Sequence, residues 1–362
     1  MSRYAIACGG TGGHLSPGVA IAEELVSRGE ECLLLTSEKA IDCIMLRKYA
    51  EFECVALAAK PFGRGIKKIW QFLRSQAVSF FFCLRLLKKR NIRCVIGMGS
   101  FTNVPVALAA FAMGKKIVLH ESNRIIGKSI RSLAYFAHTV FLPEDVAFGK
   151  RFLDKKVLHV AMPLRRELSL MDKGKARKAL GLNGDGFVVG VLGGSQGANA
   201  LNEWASQNLE KLNSQSIAVC CVRGVKNFKS EVVTGKSSGG GDVVNVFLHF
   251  CDDMRSFLSA VDLLVCRAGA GTIAEAVHFS LPMVLVPFPN AADNHQEANA
   301  TYAEKNGWAV TVREDNIGAL TKVIFECFSE KLANFKVDST SAGENRSVEI
   351  IVDRIQKISA NG

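Results

Sequence analysis

The sequence predicts an α/β fold built from two similar halves that face each other across a cleft. Short β-rich runs alternate with helical patterns along 362 residues, a length for which two domains are the natural expectation. A glycine cluster at 9–13 follows the apolar run 4–8, and a second at 193–197 follows the apolar run 187–192. Each has the form strand, glycine turn, helix start, which aims backbone N–H groups and a helix dipole at an anion.

In the first half, the alternation predicts a parallel sheet with helices on both faces. Strands are expected at 4–8, 31–36, 94–98, 116–120 and 138–142, and helices at 17–28, 39–50, 66–90, 104–113 and 127–136. Because Pro17 is tolerated in a first helical turn, the first helix is expected to begin just after the glycine loop.

The second half repeats the pattern. Strands are expected near 187–192, 217–222, 244–248, 262–266, 283–286 and 308–312, and helices at 198–212, 253–259, 271–279, 293–305 and 315–329. Pro163 marks the crossing, so the predicted domains are 1–160 and 161–342. Glycine-rich 237–241 is expected to be a flexible surface loop. An amphipathic helix in 343–362 is expected to pack back onto the first domain.

The composition is that of a soluble globular protein, with 48% hydrophobic and 22% charged residues. No secretory signal precedes the first strand, and the apolar run 104–114 is shorter than the roughly 18 residues of a membrane span. Eleven scattered cysteines contain no Cys-x-x-Cys pair, which favours a reduced, cytoplasmic setting.

The net charge of +11 comes from one part of the chain, because 54–120 contains no Asp or Glu. The twelve cations there are Lys60, Arg64, Lys67, Lys68, Arg74, Arg85, Lys88, Lys89, Arg90, Arg93, Lys115 and Lys116. Aromatic residues interleave with them over 66–90, which suits an anionic membrane surface at about 1 kcal/mol per cation. Alternatively, the aromatic face packs on the sheet and only the cations are exposed. Nucleic-acid binding is not favoured, since no helix-turn-helix, zinc or RNA-binding string accompanies the patch.

The loop 9–14 is the first candidate site. Its glycines allow a phosphate or sugar ring to lie against the main chain. His14 ends the loop at the mouth of the sheet, where it can take a proton from a hydroxyl nucleophile near neutral pH. The alternative is a plain glycine turn without a ligand. This is not a dinucleotide fingerprint, because Thr36-Ser37 ends the second strand where that fingerprint has an acidic residue.

Further candidates follow other strands. The turn 97–100 and the string 120–123 stand where open α/β sheets bind ligands, with loop stabilisation by His120 and Glu121 as the alternative. In the second half, 193–198 offers donors for a diphosphate, and 266–275 again has a helix start suited to phosphate. Glu275 suits ribose hydroxyls, the alternative being helix-dipole compensation. The amides of 293–299 suit sugar hydroxyls, the alternative being a polar helix cap.

Seven strings together resemble the MurG family, transferases that add N-acetylglucosamine to the lipid-linked muramyl-pentapeptide precursor of peptidoglycan. They are GGTGGH at 9–14, GMGSF at 97–101, HESN at 120–123, GGSQGA at 193–198, FCDDM at 250–254, CRAGAGTIAE at 266–275 and LPMVLVPFPNAADNHQEANA at 281–300. The resemblance implies two Rossmann-like domains of the GT-B type, with the UDP-sugar on the second domain and the lipid acceptor on the first.

The resemblance also implies roles for individual residues. His14 would be the base. The residues implied to bind substrate are Thr11, Gly12, Gly13 and Asn123 at the donor diphosphate and sugar, Arg165 and Ser195 at the phosphates, Cys251 at uracil through its backbone, Ala270, Gly271, Thr272, Ile273 and Ala274 around the phosphate site, Glu275 at ribose and Gln296 at the sugar hydroxyls. The family's asparagine at the crossing is Met162 here, and its Gly-Gly-Tyr loop is Gly99-Ser100-Phe101.

The function implied is an inverting transfer of GlcNAc from UDP-GlcNAc to the 4-hydroxyl of MurNAc in the undecaprenyl-linked acceptor, on the inner face of the bacterial plasma membrane. No cofactor is expected, and no metal held by the protein, because the sequence has no Asp-x-Asp string. The alternatives are a UDP-GlcNAc 2-epimerase, a plastid-type galactolipid synthase that uses UDP-galactose, and a noncatalytic scaffold that binds membrane surfaces.

Overall fold

The computed structural model describes residues 3–63, 65–194, 197–224, 229–330, 332–333, 335–337 and 346–360. The chain divides into two compact units, Met1–Arg166 with Asn345–Gly362, and Glu167–Glu344. The sequence assigned 161–166 to the second domain, but this segment is held in the first unit. Arg165 Nη1 donates to the Tyr49 hydroxyl at 3.2 Å, and the Arg166 backbone N–H donates to Glu23 Oε2 at 2.9 Å.

The first unit contains a parallel sheet with the order β3-β2-β1-β4-β5-β6-β7 among its described residues. Its strands are β1 (Arg3–Ala7), β2 (Glu31–Ser37), β3 (Glu53–Leu57), β4 (Cys94–Gly97), β5 (Lys116–His120), β6 (Thr139–Leu142) and β7 (Val157–His159). Its helices up to the crossing are α1 (Gly12–Ser27), α2 (Ala40–Leu46), α3 (Ile66–Lys89), α4 (Asn103–Ala112), α5 (Lys128–Leu133) and α6 (Arg151–Asp154).

Strand β1 lies in the middle of this sheet, with Ala5 paired to Leu33 of β2 and Val95 of β4. Residues Tyr4–Ala7 are all buried because helices cover both faces, as the apolar strand pattern predicts. One face packs against α3, α4 and α5, and the other against α1. Strands β3 and β7 were not predicted; they lie at the two edges of the sheet and carry exposed positions that weaken the strand pattern.

The second unit also contains a seven-stranded sheet, with the described strands arranged β10-β11-β9-β8-β12-β13-β14. Its strands are β8 (Phe187–Leu192), β9 (Ile217–Val222), β10 (Glu231–Lys236), β11 (Asp242–Leu248), β12 (Leu263–Cys266), β13 (Met283–Leu285) and β14 (Ala309–Thr311). Its helices are α7 (Lys173–Leu180), α8 (Asn199–Gln207), α9 (Leu209–Ser214), α10 (Met254–Ala260), α11 (Ala270–His278), α12 (His295–Lys305) and α13 (Leu320–Ser329), with 3₁₀ turns at Ala292–Asn294 and Glu314–Ala319.

Helix α7 and strand β10 of the second unit were not predicted, and two predicted segments differ from expectation. The segment 237–241, expected to be a flexible loop, is the turn of a hairpin in which β10 pairs antiparallel with β11, and Ser237 N–H donates to Gly241 O at 2.9 Å. The helix predicted over 198–212 is divided into α8 and α9 at Asn208, whose backbone leaves helical geometry and whose side chain donates to Trp204 O at 2.9 Å. Other strand pairs in this sheet are parallel.

The last helix, α14 (Ser347–Ala360), belongs to the first unit. Its apolar face buries Ile351, Val352 and Ile355 in the same core as α1. Arg28 at the end of α1 forms an ion pair with Asp353 at 2.5 Å. Both faces of the first sheet are therefore covered.

Candidate functional site

Each glycine cluster lies at the point where its sheet changes winding direction. In the first sheet, β2 and β3 lie on one side of β1, and β4 and the later strands lie on the other side. The strand order therefore reverses between β1 and β4. The loops after β1 and β4 flank that point, as do the loops after β8 and β12 in the second unit. Open α/β sheets bind ligands at such switch points. The two predicted turns thus stand where a ligand is expected.

Helix α1 begins at Gly12, five residues before the predicted start at Pro17, so His14 lies in its first turn rather than in a loop. Thr11 precedes the helix in extended geometry, makes no side-chain capping bond, and is followed by no acidic residue in the first turn. Because the first N–H groups of a helix have no partner within it, the N–H groups of Gly12 and Gly13 are suited to an anion or a sugar oxygen.

The imidazole of His14 lies against the backbone of Gly99 in the loop after β4. A Cβ placed on Gly99 would come within 3.2 Å of His14 Cε1, and Gly99 has a φ of +98°. Glycine is therefore required at 99, both for this backbone conformation and for the room the ring occupies. His14 itself is partly exposed, as a base that meets substrate must be.

His120, at the end of β5, is buried near His14. Burial, together with the smaller effect of the neighbouring His14, lowers the pKa of His120 to about 3. His120 is therefore neutral at physiological pH. No hydrogen-bond partner for its Nδ1 is found in the described part of the chain.

This pKa predicts a loss of stability in mild acid. Below about pH 6.5, His120 is protonated in the unfolded chain but stays neutral in the folded chain. The free energy of unfolding therefore falls as the pH drops towards 3, on the order of 1 kcal/mol per pH unit. We expect a His120→Gln variant to show a smaller change in urea midpoint between pH 7 and 5 than the unmodified protein. Equal changes in both proteins would contradict this.

Glu121 and Asn123 organise the loop after β5. The buried Glu121 accepts the Asn123 backbone N–H and Nδ2 on Oε1, each at 2.9 Å, and the Gly127 N–H on Oε2 at 2.8 Å. Glu121 therefore stabilises the loop after β5, as the alternative interpretation of 120–123 predicted. Asn123 is held beside it, and its implied contact with the donor stays a prediction.

In the second unit, helix α11 begins at Ala270 with Gly269 before it. Gly269 has no side chain to cap the helix, and the first turn contains no acidic residue. The N–H groups of Ala270, Gly271 and Thr272 are accordingly suited to a phosphate, as predicted from the sequence. Ile273 is buried and Ala274 half-buried in the following turn.

Glu275 lies in the second turn of α11 and is buried. Helix-dipole compensation does not explain a carboxylate at this position, because the dipole effect is confined to the first turn. The buried carboxylate of Glu275 has interactions within the protein, and its implied contact with the ribose stays a prediction.

Gln296, near the start of α12, accepts the Phe288 backbone N–H on Oε1 at 2.9 Å. Because a backbone N–H requires an oxygen acceptor, the amide orientation is set and its NH₂ group remains to donate elsewhere. Asn299 on the same helix donates to Ala268 O at 3.0 Å, which ties α12 to the loop before α11. This bond places α12, which also carries Gln296, beside the loop that leads into α11.

Arg267, which follows β12 directly, was not predicted to have a role of its own. Its Nη1 donates to Val286 O at 3.1 Å, its guanidinium pairs with Glu314, and it lies 5.4 Å from the Phe288 ring centroid. Arg267 therefore supports the segment to which Gln296 is bonded. In the sequence, only the position of Arg267 inside the string 266–275 indicated a role. Its contacts could not be predicted, because its partners lie far away along the chain.

For three further predicted residues, the structure does not test the implied contact with the ligand. Arg165 is buried in the first unit against Tyr49, and Ser195 lies outside the described residues. Cys251 is buried, and its Sγ contacts Asp253 O at 3.2 Å. Their implied contacts with phosphate and uracil stay predictions.

Helix α3 presents aromatic side chains to solvent. Its buried stripe is Ser75, Ser79, Cys83 and Leu87. Phe80 and Leu84 pack partly on the core, whereas Trp70, Phe81 and Phe82 are 63%, 59% and 43% exposed. The packing alternative is therefore wrong for these three aromatic residues. Among the described residues, no helix is both long and apolar enough to cross a membrane.

Two family models match the chain: the glycosyltransferase family 28 N-terminal domain over residues 4–142 and its C-terminal domain over 188–353. The UDP-N-acetylglucosamine–N-acetylmuramyl-(pentapeptide) pyrophosphoryl-undecaprenol N-acetylglucosamine transferase of Opitutus terrae is 35% identical, covering 99% of this chain and 95% of its own length. The enzyme of that name from Prochlorococcus marinus strain SARG is 32% identical, covering 94% and 90%.

Solved structures agree in fold. Acinetobacter baumannii MurG has a TM-score of 0.67 at 21% identity, covering 98% of this chain and 99% of its own. The calicheamicin glycosyltransferase CalG4 has a TM-score of 0.70 at 14% identity, covering 100% and 99%. At these identities the likeness shows the fold alone, and it confirms the predicted class of two Rossmann-like domains of the GT-B type.

Proposed function

Because the chain belongs to the MurG family within glycosyltransferase family 28, we propose that it transfers GlcNAc from UDP-GlcNAc to the MurNAc 4-hydroxyl of the undecaprenyl-linked muramyl-pentapeptide. The product is the disaccharide-lipid precursor of peptidoglycan. The observation that carries the proposal is an uncapped helix start at the switch point of each unit, α1 and α11, in a chain 35% identical along 99% of its length to such a transferase.

The donor binds to the second unit. The N–H groups at the start of α11 hold a phosphate, with Ser195 adding a hydroxyl. Glu275 accepts bonds from the ribose hydroxyls, and Cys251 meets uracil through its backbone. The NH₂ group of Gln296 donates to a hydroxyl of the GlcNAc ring, since its Oε1 is already bonded to Phe288.

The reaction is one in-line displacement. The acceptor oxygen forms a bond to the anomeric carbon as the bond from that carbon to the UDP oxygen breaks, which inverts configuration. His14 takes the proton of the acceptor hydroxyl. Backbone N–H groups of Gly12, Gly13 and the α11 start, together with Arg165, stabilise the charge that develops on UDP.

The first unit binds the acceptor and rests on the cytoplasmic face of the plasma membrane. Support comes from the exposed aromatic residues of α3, and from exposed cations such as Lys67, Lys68 and Arg74 beside them. Aromatic and basic side chains together suit the interface of an anionic bilayer. The association is peripheral.

The function is tested by incubating the protein with radiolabelled UDP-GlcNAc, with and without the lipid acceptor. We expect UDP release that depends on the acceptor, and label in the butanol-extractable lipid. Epimerised UDP-sugar without label transfer would indicate a 2-epimerase, and a preference for UDP-galactose would indicate a galactolipid synthase. Vesicle binding without any UDP release would indicate a scaffold.

We expect Glu275→Ala to raise the KM for UDP-GlcNAc about tenfold or more, because the ribose hydroxyls lose a charged acceptor worth roughly 1.5–3 kcal/mol. The KM for the acceptor should stay unchanged. Glu210→Ala, which removes an exposed glutamate on α9, is the matched control. An unchanged donor KM in a folded Glu275→Ala protein would remove Glu275 from the ribose site.

A further inference from the structure

The two residues before Thr11 are held by side chains rather than by other backbone groups. The Gly9 carbonyl accepts Ser100 Oγ at 2.6 Å and Thr102 Oγ1 at 3.1 Å. The Gly10 N–H donates to Asp42 Oδ2 at 2.8 Å, and the Gly10 carbonyl accepts Lys39 Nζ at 2.8 Å. These polar groups of the loop are thus turned inward and bonded within the protein.

Asp42 is fully buried in the first turn of α2, and its Oδ2 also accepts the Ser37 N–H at 3.0 Å and the Ser37 hydroxyl at 2.6 Å. The bonds from Ser37 are local, because Ser37 ends β2 only five residues before Asp42. The bond from Gly10 is different, because it joins this carboxylate to a loop 32 residues away. Asp42 therefore couples the start of α2 to the loop before α1.

Ser100 has a φ of +65°, in the left-handed region that non-glycine residues rarely adopt. The Ser100 hydroxyl donates to the Gly9 carbonyl, a hydrogen bond that a glycine at this position could not form. The next residue, Phe101, also takes part, because Lys39 Nζ lies 5.2 Å from its ring centroid.

We propose that Lys39, Asp42, Ser100 and Thr102 form a loop clamp, a set of positioning residues that fixes Gly9 and Gly10 so that the start of α1 is correctly placed for glycosyl transfer. The inference rests on the proposed function. Its consequence for the site is direct, since α1 begins at Gly12 and His14 lies in the first turn. A small displacement of the loop would move both the N–H donors and the imidazole, and misplacement by about 1 Å can lower rates 10²-fold.

The test compares Ser100→Gly with Ser216→Gly. Both serines have positive φ, and Ser216, with a φ of +60°, is exposed in the second unit, so both variants relieve the same backbone conformation. Only Ser100→Gly removes a hydroxyl from the loop clamp. We expect Ser100→Gly to lower kcat about tenfold, with the KM for UDP-GlcNAc within twofold and Tm not lowered, whereas Ser216→Gly keeps the kcat of the unmodified protein.

Amide hydrogen exchange over residues 9–14 supplies a readout that does not depend on activity. We expect faster exchange in Ser100→Gly and in Asp42→Asn, and no change in Ser216→Gly. Unchanged exchange, or faster exchange with kcat within twofold, would overturn the loop clamp. If the unmodified protein transfers no GlcNAc, the proposed function fails instead, and the exchange data still decide whether these side chains hold the loop.

Discussion

Replacing His14 with Ala should lower turnover by roughly 10²–10⁴-fold, the contribution typical of a general base. His14 is the partly exposed imidazole at the start of α1, placed against Gly99 and near the buried His120. Burial holds His120 neutral, so His120 does not oppose a charge on His14 when His14 takes up the acceptor proton. The KM for UDP-GlcNAc should change little, because in the proposed mechanism His14 acts on the acceptor hydroxyl rather than on the donor.

The measurement is steady-state UDP release at saturating donor and acceptor, across pH 6 to 9. In His14→Ala, we expect the acidic limb of the rate profile to disappear along with the loss of rate. His138→Gln is the matched control, an exposed histidine of the same unit that accepts the Ile117 N–H at 3.3 Å. Turnover within threefold of the unmodified protein in His14→Ala would exclude His14 as the base.

The sheet centres were predictable from sequence, whereas edges and boundaries were less so. Strands β1 and β8 are uninterrupted apolar runs, because each lies inside a sheet covered on both faces. Strand β10 was missed because it is an exposed edge strand, stabilised by its pairing with β11. The start of α1 was placed too late because glycine is a poor helix former, and tertiary packing overrides this propensity at Gly12 and Gly13.

For the site, sequence predicted the positions but not the supporting contacts. His14, Glu275 and Gln296 follow strand ends or glycine turns, which local patterns reveal. The bonds of Asp42 to Gly10 and of Arg267 to Val286 join residues 32 and 19 positions apart, and no periodicity indicates them. The left-handed conformation of Ser100 was equally hidden, since serine has no preference for it.

Replacing Trp70 and Phe81 together with Ser should weaken binding to anionic vesicles by at least tenfold. Both side chains lie on the exposed side of α3, 63% and 59% accessible, and burying a large apolar side chain in an interface stabilises binding by roughly 1.5–3 kcal/mol. The core should be unaffected, because the buried stripe of α3 is formed by other residues. Turnover on a short-chain, water-soluble acceptor should therefore stay unchanged.

Vesicle composition and salt separate the two contributions to this binding. Val232→Ser, which removes an exposed apolar side chain of the second unit, is the control and should bind vesicles normally. Raising the salt concentration screens the attraction of the α3 cations to anionic lipid but does not remove the apolar contacts. Trp70 and Phe81 should therefore account for most of the residual binding at high salt, and the double variant should lose it. If the double variant binds as tightly as the unmodified protein at every salt concentration, the exposed aromatic face of α3 does not contact the membrane.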